Sequence, residues 1–399
     1  MKLNFFAGVE YKNQIYFSEY NNLNGLFLFN MESQEVRFLK LFEKEEVKPR
    51  LHRSAFLYNN EAWFIPQEAS YIANINLDTL DITYYKMPFN KKSEKEVGHY
   101  CPYINGHVVQ NKYLYLIPHD IDTVLIIDME LHKFYPYYGV INVEEETMID
   151  GVIIKDDLFL LPAVGKFYIK LNLRTNKWQR IKWEYGEWAF SSVQLVDEKI
   201  WILPISQKYI LTVELKTGVK HKLPLLNPKD QYWNMMLVDN ELIFFPYQAS
   251  NFLIVDKNTL EMRIDKMEGH EEIFFVNPNI VSRIKSKEKK LITMGLAEYI
   301  IIFDENKSVV TLEINTKCFF TQLGEYLKSK GNLCDALIEQ EIAKLSCMVR
   351  MNETAIYQDL ECFFSLDAIL NGLPYSNGPL HNSENIGNKI WCGILNNEI

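Results

Sequence analysis

The chain has 399 residues, of which 48% are hydrophobic and 24% are charged, as expected for a folded protein of one large or two medium domains. The net charge is −10 and no basic stripe stands out, which argues against a nucleic-acid partner or an anionic membrane surface. Aromatic residues make up 14% of the chain, with 24 Phe and 23 Tyr against 17 Gly. This composition favours sheet, because aromatic side chains suit pleated, half-buried surfaces.

The N-terminal stretch MKLNFFAGVEYKNQ has one Lys and then a short apolar patch that Glu10 interrupts, which does not fit a signal or transit peptide. No apolar run approaches the roughly 18 residues that a membrane helix needs. Of the six cysteines, Cys101 stands alone and five follow residue 317, with no CxxC pair. We therefore expect reduced thiols, no zinc site and a cytoplasmic location.

An apolar run that ends in proline, with a polar turn residue ten positions later, recurs along the chain. The prolines are Pro66, Pro118, Pro162, Pro204 and Pro246, and the turn residues are Asn76, Asp128, Asn172, Glu214 and Asp256. Two degenerate copies flank these five, with Ser18 and Asn30 in the first and Met294 and Asp304 in the last. In four copies a Thr follows the turn residue by three positions, which predicts a tight turn whose side-chain oxygens accept backbone amides.

Each copy reads as four short strands, for example NMMLVD, ELIFF, FLIVD and LEMRID in the copy that starts near residue 232. Seven copies of four strands, spaced 42 to 52 residues apart, predict a seven-bladed β-propeller. The strands are apolar with little alternation, because a blade must bury both of its faces against neighbours. A six-bladed ring is the alternative if the first or last copy is degraded.

The pattern over residues 1–316 resembles the kelch-like propellers of the galactose-oxidase central-domain type. It departs from kelch repeats proper in two features. Kelch repeats have paired glycines after the second strand, where this chain has proline. They also have a tryptophan late in each blade, and here it is present only as Trp178. The resemblance therefore implies an architecture and carries over no functional residue.

From residue 317 to 399 the repeat gives way to apolar residues at three- and four-residue steps, which predicts a mainly helical extension packed on the propeller. Gly372 and Pro374 would end a second helical stretch, and Ser383 is a candidate cap for a third. A separate small domain is the alternative.

In a propeller, the second-to-third loops share one face with the crossovers that enter the innermost strands. These segments are long and varied here, whereas the other turns are short and polar, so we expect binding on the varied face. The candidate ligand-binding residues in the loops are Gln67, Glu68, His119, Asp120, Gln207 and Gln248. Those at the strand entries are His52, Arg53, Tyr103, Asn105, Asp150, Ser191, Tyr232, Trp233, Asn234 and Asn277.

Two clusters within this set have specific chemistry. His52 and Arg53 offer an imidazole beside a fixed cation, which could bind or polarise a carboxylate or carbonyl, although a hydrogen-bonded structural histidine is the alternative. His119 with Asp120 and Asp122 could transfer protons or hold a metal weakly, and an Asx turn is the alternative that we favour. We expect no metal site and no cofactor.

The sequence supports two function classes. The first is a cytosolic binding or scaffold propeller that recognises a protein or peptide partner through the varied face. The second is an enzyme or binding protein for a carbohydrate or other small polar ligand in the axial pocket, of the lyase, mutarotase or epimerase type. The usual local catalytic motifs are missing, but propeller enzymes can use scattered loop residues.

Overall fold

The computed structural model describes residues 3–20, 24–45, 50–87, 103–119, 121–142, 147–164, 166–182, 190–204, 207–246, 249, 251–266, 282–285, 291–294, 299–303 and 308–329. Within these ranges the chain forms antiparallel four-stranded sheets in which consecutive strands are neighbours, followed by one helix.

The strands of each sheet follow one another in the chain. Sheet 1 contains β1 Phe5–Tyr11, β2 Gln14–Glu19, β3 Gly25–Asn30 and β4 Val36–Leu41. Sheet 2 contains β5 His52–Tyr58, β6 Glu61–Pro66, β7 Tyr71–Asn76 and β8 Ile82–Lys86. Sheet 3 contains β9 Tyr103–Gln110, β10 Tyr113–Pro118, β11 Val124–Asp128 and β12 Lys133–Tyr137. Sheet 4 contains β13 Thr147–Ile154, β14 Asp157–Val164, β15 Phe167–Asn172 and β16 Lys177–Lys182. Sheet 5 contains β17 Phe190–Val196, β18 Lys199–Pro204, β19 Tyr209–Glu214 and β20 Lys220–Pro224. Sheet 6 contains β21 Tyr232–Val238, β22 Glu241–Pro246, β23 Phe252–Asp256 and β24 Met262–Asp265. Sheet 7 contains β25 Ser282–Lys285, β26 Leu291–Met294, β27 Tyr299–Phe303 and β28 Ser308–Thr311.

The repeated prolines occupy equivalent places in the sheets, as predicted. Four of them are the last residues of second strands, and Pro162 lies two residues before the end of β14. Each proline pairs with a residue near the start of the first strand of its own sheet, for example Pro66 with His52 and Pro246 with Tyr232. Proline is tolerated there because it stands where the ladder ends and no further amide donor is needed.

The predicted turns between third and fourth strands are also formed. Oδ1 of Asn76 accepts the amides of Asp78 and Thr79 at 3.0 and 3.1 Å. Oδ1 of Asp256 accepts the corresponding two amides at 2.8 Å each, and the bonds hold the pKa of this carboxyl below its usual value. The spacing from proline to turn residue is thus the length of a loop plus a third strand.

Apolar clusters lie between neighbouring sheets and join them into a ring. In the described residues, each of seven clusters combines side chains from one sheet and the next, and one of them combines sheet 7 with sheet 1. The backbone amide of Leu3 also donates to the carbonyl of Leu312 at 3.0 Å, which ties the beginning of the repeat region to its end. The first strands lie innermost, and those of neighbouring sheets contact one another from sheet 7 through sheet 1 to sheet 6.

Helix α1, Thr316–Ser329, begins where the repeat ends. The Asn315 side chain accepts the amide of Cys318 at 3.0 Å and so caps the N-terminus of the helix. Phe319 stacks with Phe27 and meets Phe38 edge to face, and these contacts hold the helix against sheet 1. The helical stretches predicted after residue 329 lie outside the described residues.

The all-β prediction and the four-stranded repeat are confirmed, and the described residues between 190 and 265 include no helix. In the described part of the chain, no helix is long and apolar enough to cross a membrane.

Candidate functional site

The loops predicted to bind a ligand lie on one side of the ring. Because His52 pairs with Pro66 and Tyr232 with Pro246, first strands begin on the side where second strands end. We call this side the entry face. The opposite side carries the tight turns of sheets 1 to 6, among them the turn at Asn59, and we call it the turn face.

The inner strands repeat a three-residue pattern at the entry face, and in six sheets a β-bulge or other irregularity interrupts the register there. The first positions are Phe5, His52, Tyr103, Met148, Phe190 and Tyr232, all of them buried. The second positions include Phe6, Arg53, Ile149, Ser191 and Trp233, and the third include Ala7, Ser54, Asp150, Ser192 and Asn234. Sequence alignment of the repeats alone does not assign these positions to the core or to the surface.

His52 occupies the core position of sheet 2. Its side chain is 0% exposed, and its ring lies 4.4 Å from that of Phe42 and 5.5 Å from that of Phe64. Within the described residues neither ring nitrogen has a hydrogen-bond partner. Burial lowers the pKa of His52 to about 3, so the imidazole is neutral at physiological pH. The imidazole–guanidinium pair is therefore not presented to a ligand, and we remove His52 from the candidate site.

Arg53 has different surroundings. Its guanidinium carbon lies 5.6 Å from the centre of the Phe6 ring, and Phe6 meets Tyr20 edge to face at 5.1 Å. The Arg50 guanidinium in turn lies 5.9 Å from the centre of the Tyr20 ring. Two aromatic rings in contact, each with a guanidinium beside it, thus lie at the boundary between sheets 1 and 2. We call Arg53, Phe6, Tyr20 and Arg50 the entry ladder.

The backbone fixes the entry ladder in place. The Tyr20 carbonyl accepts the Arg50 amide at 2.7 Å, and the Arg50 carbonyl accepts the Glu68 amide at 3.1 Å. Gln67 donates its amide to the Leu51 carbonyl at 2.8 Å, and its side chain is buried. The second-to-third loop of sheet 2 is therefore bound to the crossover that precedes β5. Gln67 and Glu68 lie beside the ladder, as the sequence predicts for one face.

Asp150 joins two sheets instead of facing an open site. Its Oδ2 accepts the Ser192 hydroxyl at 3.1 Å and the Val193 amide at 2.9 Å, both in the inner strand of sheet 5. Its Oδ1 accepts the Gly151 amide at 2.9 Å. A buried carboxylate with these bonds stabilises the packing of sheets 4 and 5.

Ser191 and Asn234 are also buried and bonded within the protein. The Ser191 hydroxyl donates to the Leu203 carbonyl at 3.2 Å, and Asn234 Oδ1 accepts the Met235 amide at 2.9 Å. The Tyr232 hydroxyl donates to Asp230 at 3.3 Å, and burial raises the pKa of this tyrosine.

The remaining candidates divide into three groups. Trp233 is half-buried and packs against the apolar cluster between sheets 4 and 5. Tyr103 is buried in the cluster between sheets 2 and 3, while His119 and Gln207 are half-buried at the entry face. Outside the described residues lie the Asn105 side chain and Asp120, Gln248 and Asn277. Among the residues that the structure describes, no three His, Cys, Asp or Glu side chains are grouped to hold a metal ion.

The turn face carries a cluster that the sequence did not predict. His132 Nδ1 is hydrogen-bonded to the Tyr85 hydroxyl at 2.6 Å, and its Nε2 to Glu61 at 3.0 Å. Burial raises the pKa of Tyr85, and the Trp63 ring packs against both the tyrosine and the histidine. These residues belong to sheets 2 and 3, so their spacing in the sequence gives no sign of the cluster.

A polar groove of about 410 Å³ also lies on the turn face, between sheets 5 and 6. Lys257 and Asp197 pair across it at 3.0 Å, and Lys216 pairs with Glu198 at 2.5 Å. Three acidic and three basic side chains line the groove, which leaves it without a net charge that would attract a ligand.

Comparisons with known proteins identify the fold. No family model matches the chain, and no curated protein matches it. A streptogramin B lyase structure is 12% identical with a TM-score of 0.56, and the match covers 74% of this chain and 91% of that one. A virginiamycin B lyase from Staphylococcus aureus is 12% identical with a TM-score of 0.55, over 74% of this chain and 94% of that one.

PorZ from Porphyromonas gingivalis, a surface component of the type-IX secretion system, is 11% identical with a TM-score of 0.54, over 79% of this chain and 39% of that one. These proteins are β-propellers, and at such identities the likeness shows the fold alone.

Proposed function

We propose that this β-propeller is a binding protein that recognises a protein or peptide partner through its entry face. The entry ladder carries the proposal. Arg53 is only 7% exposed, yet it lies at the entry of an inner strand, on the face that carries the varied loops. Guanidinium and aromatic groups are the side chains that most often dominate the energy of protein interfaces.

The ladder is also arranged for recognition of a carboxylate or a backbone carbonyl. A guanidinium held over an aromatic ring keeps its planar donors in a fixed orientation, so little side-chain entropy is lost on binding. Trp233 provides a second apolar plate on the same face, at the equivalent position of sheet 6. The entry face therefore combines rigid anchors with varied loops.

The experiment compares the two faces. Peptides selected against the wild-type protein from a random display library are measured against Arg53→Ala, Trp233→Ala and Asn59→Ala. We expect the first two substitutions to weaken binding at least about tenfold, because each removes an anchor. Asn59 has a φ of 55° in a turn on the turn face, so its substitution lowers stability and leaves binding unchanged. Weakened binding only in Asn59→Ala would place the site on the turn face.

An enzyme or binding protein for a carbohydrate or small polar ligand, of the lyase, mutarotase or epimerase type, is the second candidate. The observation that favours it is that the solved propellers similar to this chain include a streptogramin B lyase. His119 is the imidazole that the described entry face offers for proton transfer. Thermal-shift screening against sugars and sugar nucleotides tests this candidate, and a hit that His119→Ala abolishes would favour it over peptide binding.

The proposal also includes the number of blades, the C-terminal extension and the location of the protein. We infer that the seven sheets are the blades of one closed propeller over residues 1–316, and that residues 317–399 form a helical extension packed on it. The kelch-like assignment rests on the sequence pattern. We also infer a cytoplasmic location, for which titration of all six thiols in the unfolded protein without reductant is the test.

A further inference from the structure

The outer strands of sheets 3 and 4 carry exposed aromatic rings, each on the side of its sheet that faces the other sheet. Tyr135 in β12 and Trp178 in β16 are each 42% exposed, which is a large fraction for rings of this size. Arg180 and Lys182 follow Trp178 at two-residue steps and are also exposed. Residues two apart in a strand point to the same side of the sheet.

The strand register shows which side that is. Directly paired residues of antiparallel strands share a face, and Tyr135 pairs with Ile126 while Trp178 pairs with Leu171. Ile126 and Leu171 both belong to the apolar cluster between sheets 3 and 4. The two aromatic rings therefore lie on the facing sides of neighbouring sheets, farther from the axis than the cluster.

Direct contacts agree with this placement. The Tyr137 hydroxyl donates to Asn176 Oδ1 at 2.8 Å, from sheet 3 to sheet 4. The Arg180 guanidinium lies 4.7 Å from the centre of the Phe167 ring, on the face that Ile169 buries against sheet 3. We define the rim groove by Tyr135, Tyr137, Phe167, Trp178, Arg180 and Lys182.

Between the outer strands of sheets 2 and 3, the aromatic side chains contact one another across the interface. There Tyr85 of β8 meets Phe134 of β12 at 5.1 Å, and Trp63 stacks on Tyr85 at 5.6 Å. In the described part of the chain, no ring contact joins Trp178 to an aromatic side chain of β12. The rim groove thus keeps aromatic surface exposed where the neighbouring pair of sheets half-buries it in ring contacts.

We propose that the rim groove binds an extended acidic peptide segment of a partner protein. The strands β12 and β16 contain basic residues and no acidic residue, in a chain whose net charge is −10. Carboxylates of a peptide would pair with Arg180 and Lys182, while its apolar or aromatic residues would pack on Trp178 and Tyr135. The strongly negative remainder of the molecule repels a long polyanion such as a nucleic acid but tolerates a short acidic segment.

This surface is separate from the entry face, because its residues lie on outer strands. Edge strands often carry Lys to prevent aggregation, and β20, with Lys220 and Lys222, is a neighbouring edge of that type. Substituting the basic residues of β16 and, separately, those of β20 therefore distinguishes a specific binding groove from lysines that only protect an edge strand.

The experiment measures fluorescence anisotropy of a labelled peptide of about ten residues that alternates Glu with Tyr, long enough to span β16. We expect the wild-type protein to bind it, and Trp178→Ala and the double variant Arg180→Glu/Lys182→Glu each to weaken binding at least about tenfold. Lys220→Glu/Lys222→Glu changes the net charge of the protein by the same amount on the outer strand of the next sheet, and we expect it to bind like the wild type. Circular dichroism confirms that each variant is folded. If the site requires an aromatic ring at this position, Trp178→Phe binds the peptide more tightly than Trp178→Ala does.

Three results would overturn the proposal. The first is no binding of the acidic peptide, and the second is an equal loss in Lys220→Glu/Lys222→Glu, which would mean that net charge alone governs the interaction. The third is equal affinity for an oligothymidylate of similar length, which would mean that any anionic polymer binds. Arg53→Ala leaves peptide binding at the rim groove unchanged, so failure of this proposal and failure of the entry-face proposal are distinguishable.

Discussion

At the scale of the residue, His52 shows how a position in the repeat determines chemistry. Other sheets place Phe5, Tyr103, Phe190 or Tyr232 at the equivalent position. The imidazole is therefore enclosed by apolar and aromatic side chains, and burial lowers its pKa to about 3. A histidine that cannot accept a proton in the folded protein binds that proton only on unfolding, which links stability to pH.

We predict that stability falls as the pH is lowered from 7 to 5 and that His52→Phe removes much of this dependence. The folded pKa of about 3 lies below the ordinary 6.5, so the stabilisation is complete above pH 6.5 and is lost as the pH falls. The histidine contributes about 2 kcal/mol of this loss by pH 5. Urea denaturation at both pH values measures it, and an unchanged pH dependence in His52→Phe would contradict the buried placement.

At the scale of the element, the turns and prolines were predictable because their chemistry is local. Asn76 and Asp256 make their turn with amides two and three residues later, so the sequence contains every group involved. The entry ladder and the rim groove were not predictable in this way. Arg53 reaches Phe6 of the preceding sheet, and Trp178 faces Tyr135 only because two sheets pack at a particular register.

Helix α1 gives a test at the same scale, because it covers the outer strand of sheet 1. Gln322 accepts the Phe38 backbone amide at 2.9 Å, which satisfies a donor on the edge of that sheet. Phe319 is buried between Phe27 and Phe38.

We predict that Phe319→Ala lowers the free energy of unfolding by about 3 kcal/mol, as for other buried phenylalanines. Cys318→Ala, at an exposed position of the same helical turn, should change it by less than about 0.5 kcal/mol. Chemical denaturation of both variants provides the measurement. Equal stability of the two would show that the helix contributes little to the fold and that the extension is a separate unit.

At the scale of the whole molecule, the all-β class and the four-stranded repeat could be predicted from the sequence, but closure of the ring depends on contacts between distant parts of the chain. Ile300 and Ile302 of β27 lie in one apolar cluster with Phe5 and Phe17 of sheet 1. Such contacts have no local signal, because the residues are separated by almost the whole repeat region. Closure of the ring is therefore tested by comparing this seam with an interface between two consecutive sheets.

We predict that Ile300→Ala and Ile210→Ala destabilise the protein equally, by about 3 kcal/mol each. The two side chains are both 0% exposed and both lie four residues before the turn residue of their repeat, Asp304 or Glu214. Ile210 packs between sheets 5 and 6, whereas Ile300 packs between sheets 7 and 1, at the closing seam. In a closed ring both interfaces must break in the same cooperative transition, so urea midpoints of the two variants should shift together. If Ile210→Ala shifts the midpoint and Ile300→Ala does not, the ring opens at the seam and the sheets do not form one closed propeller.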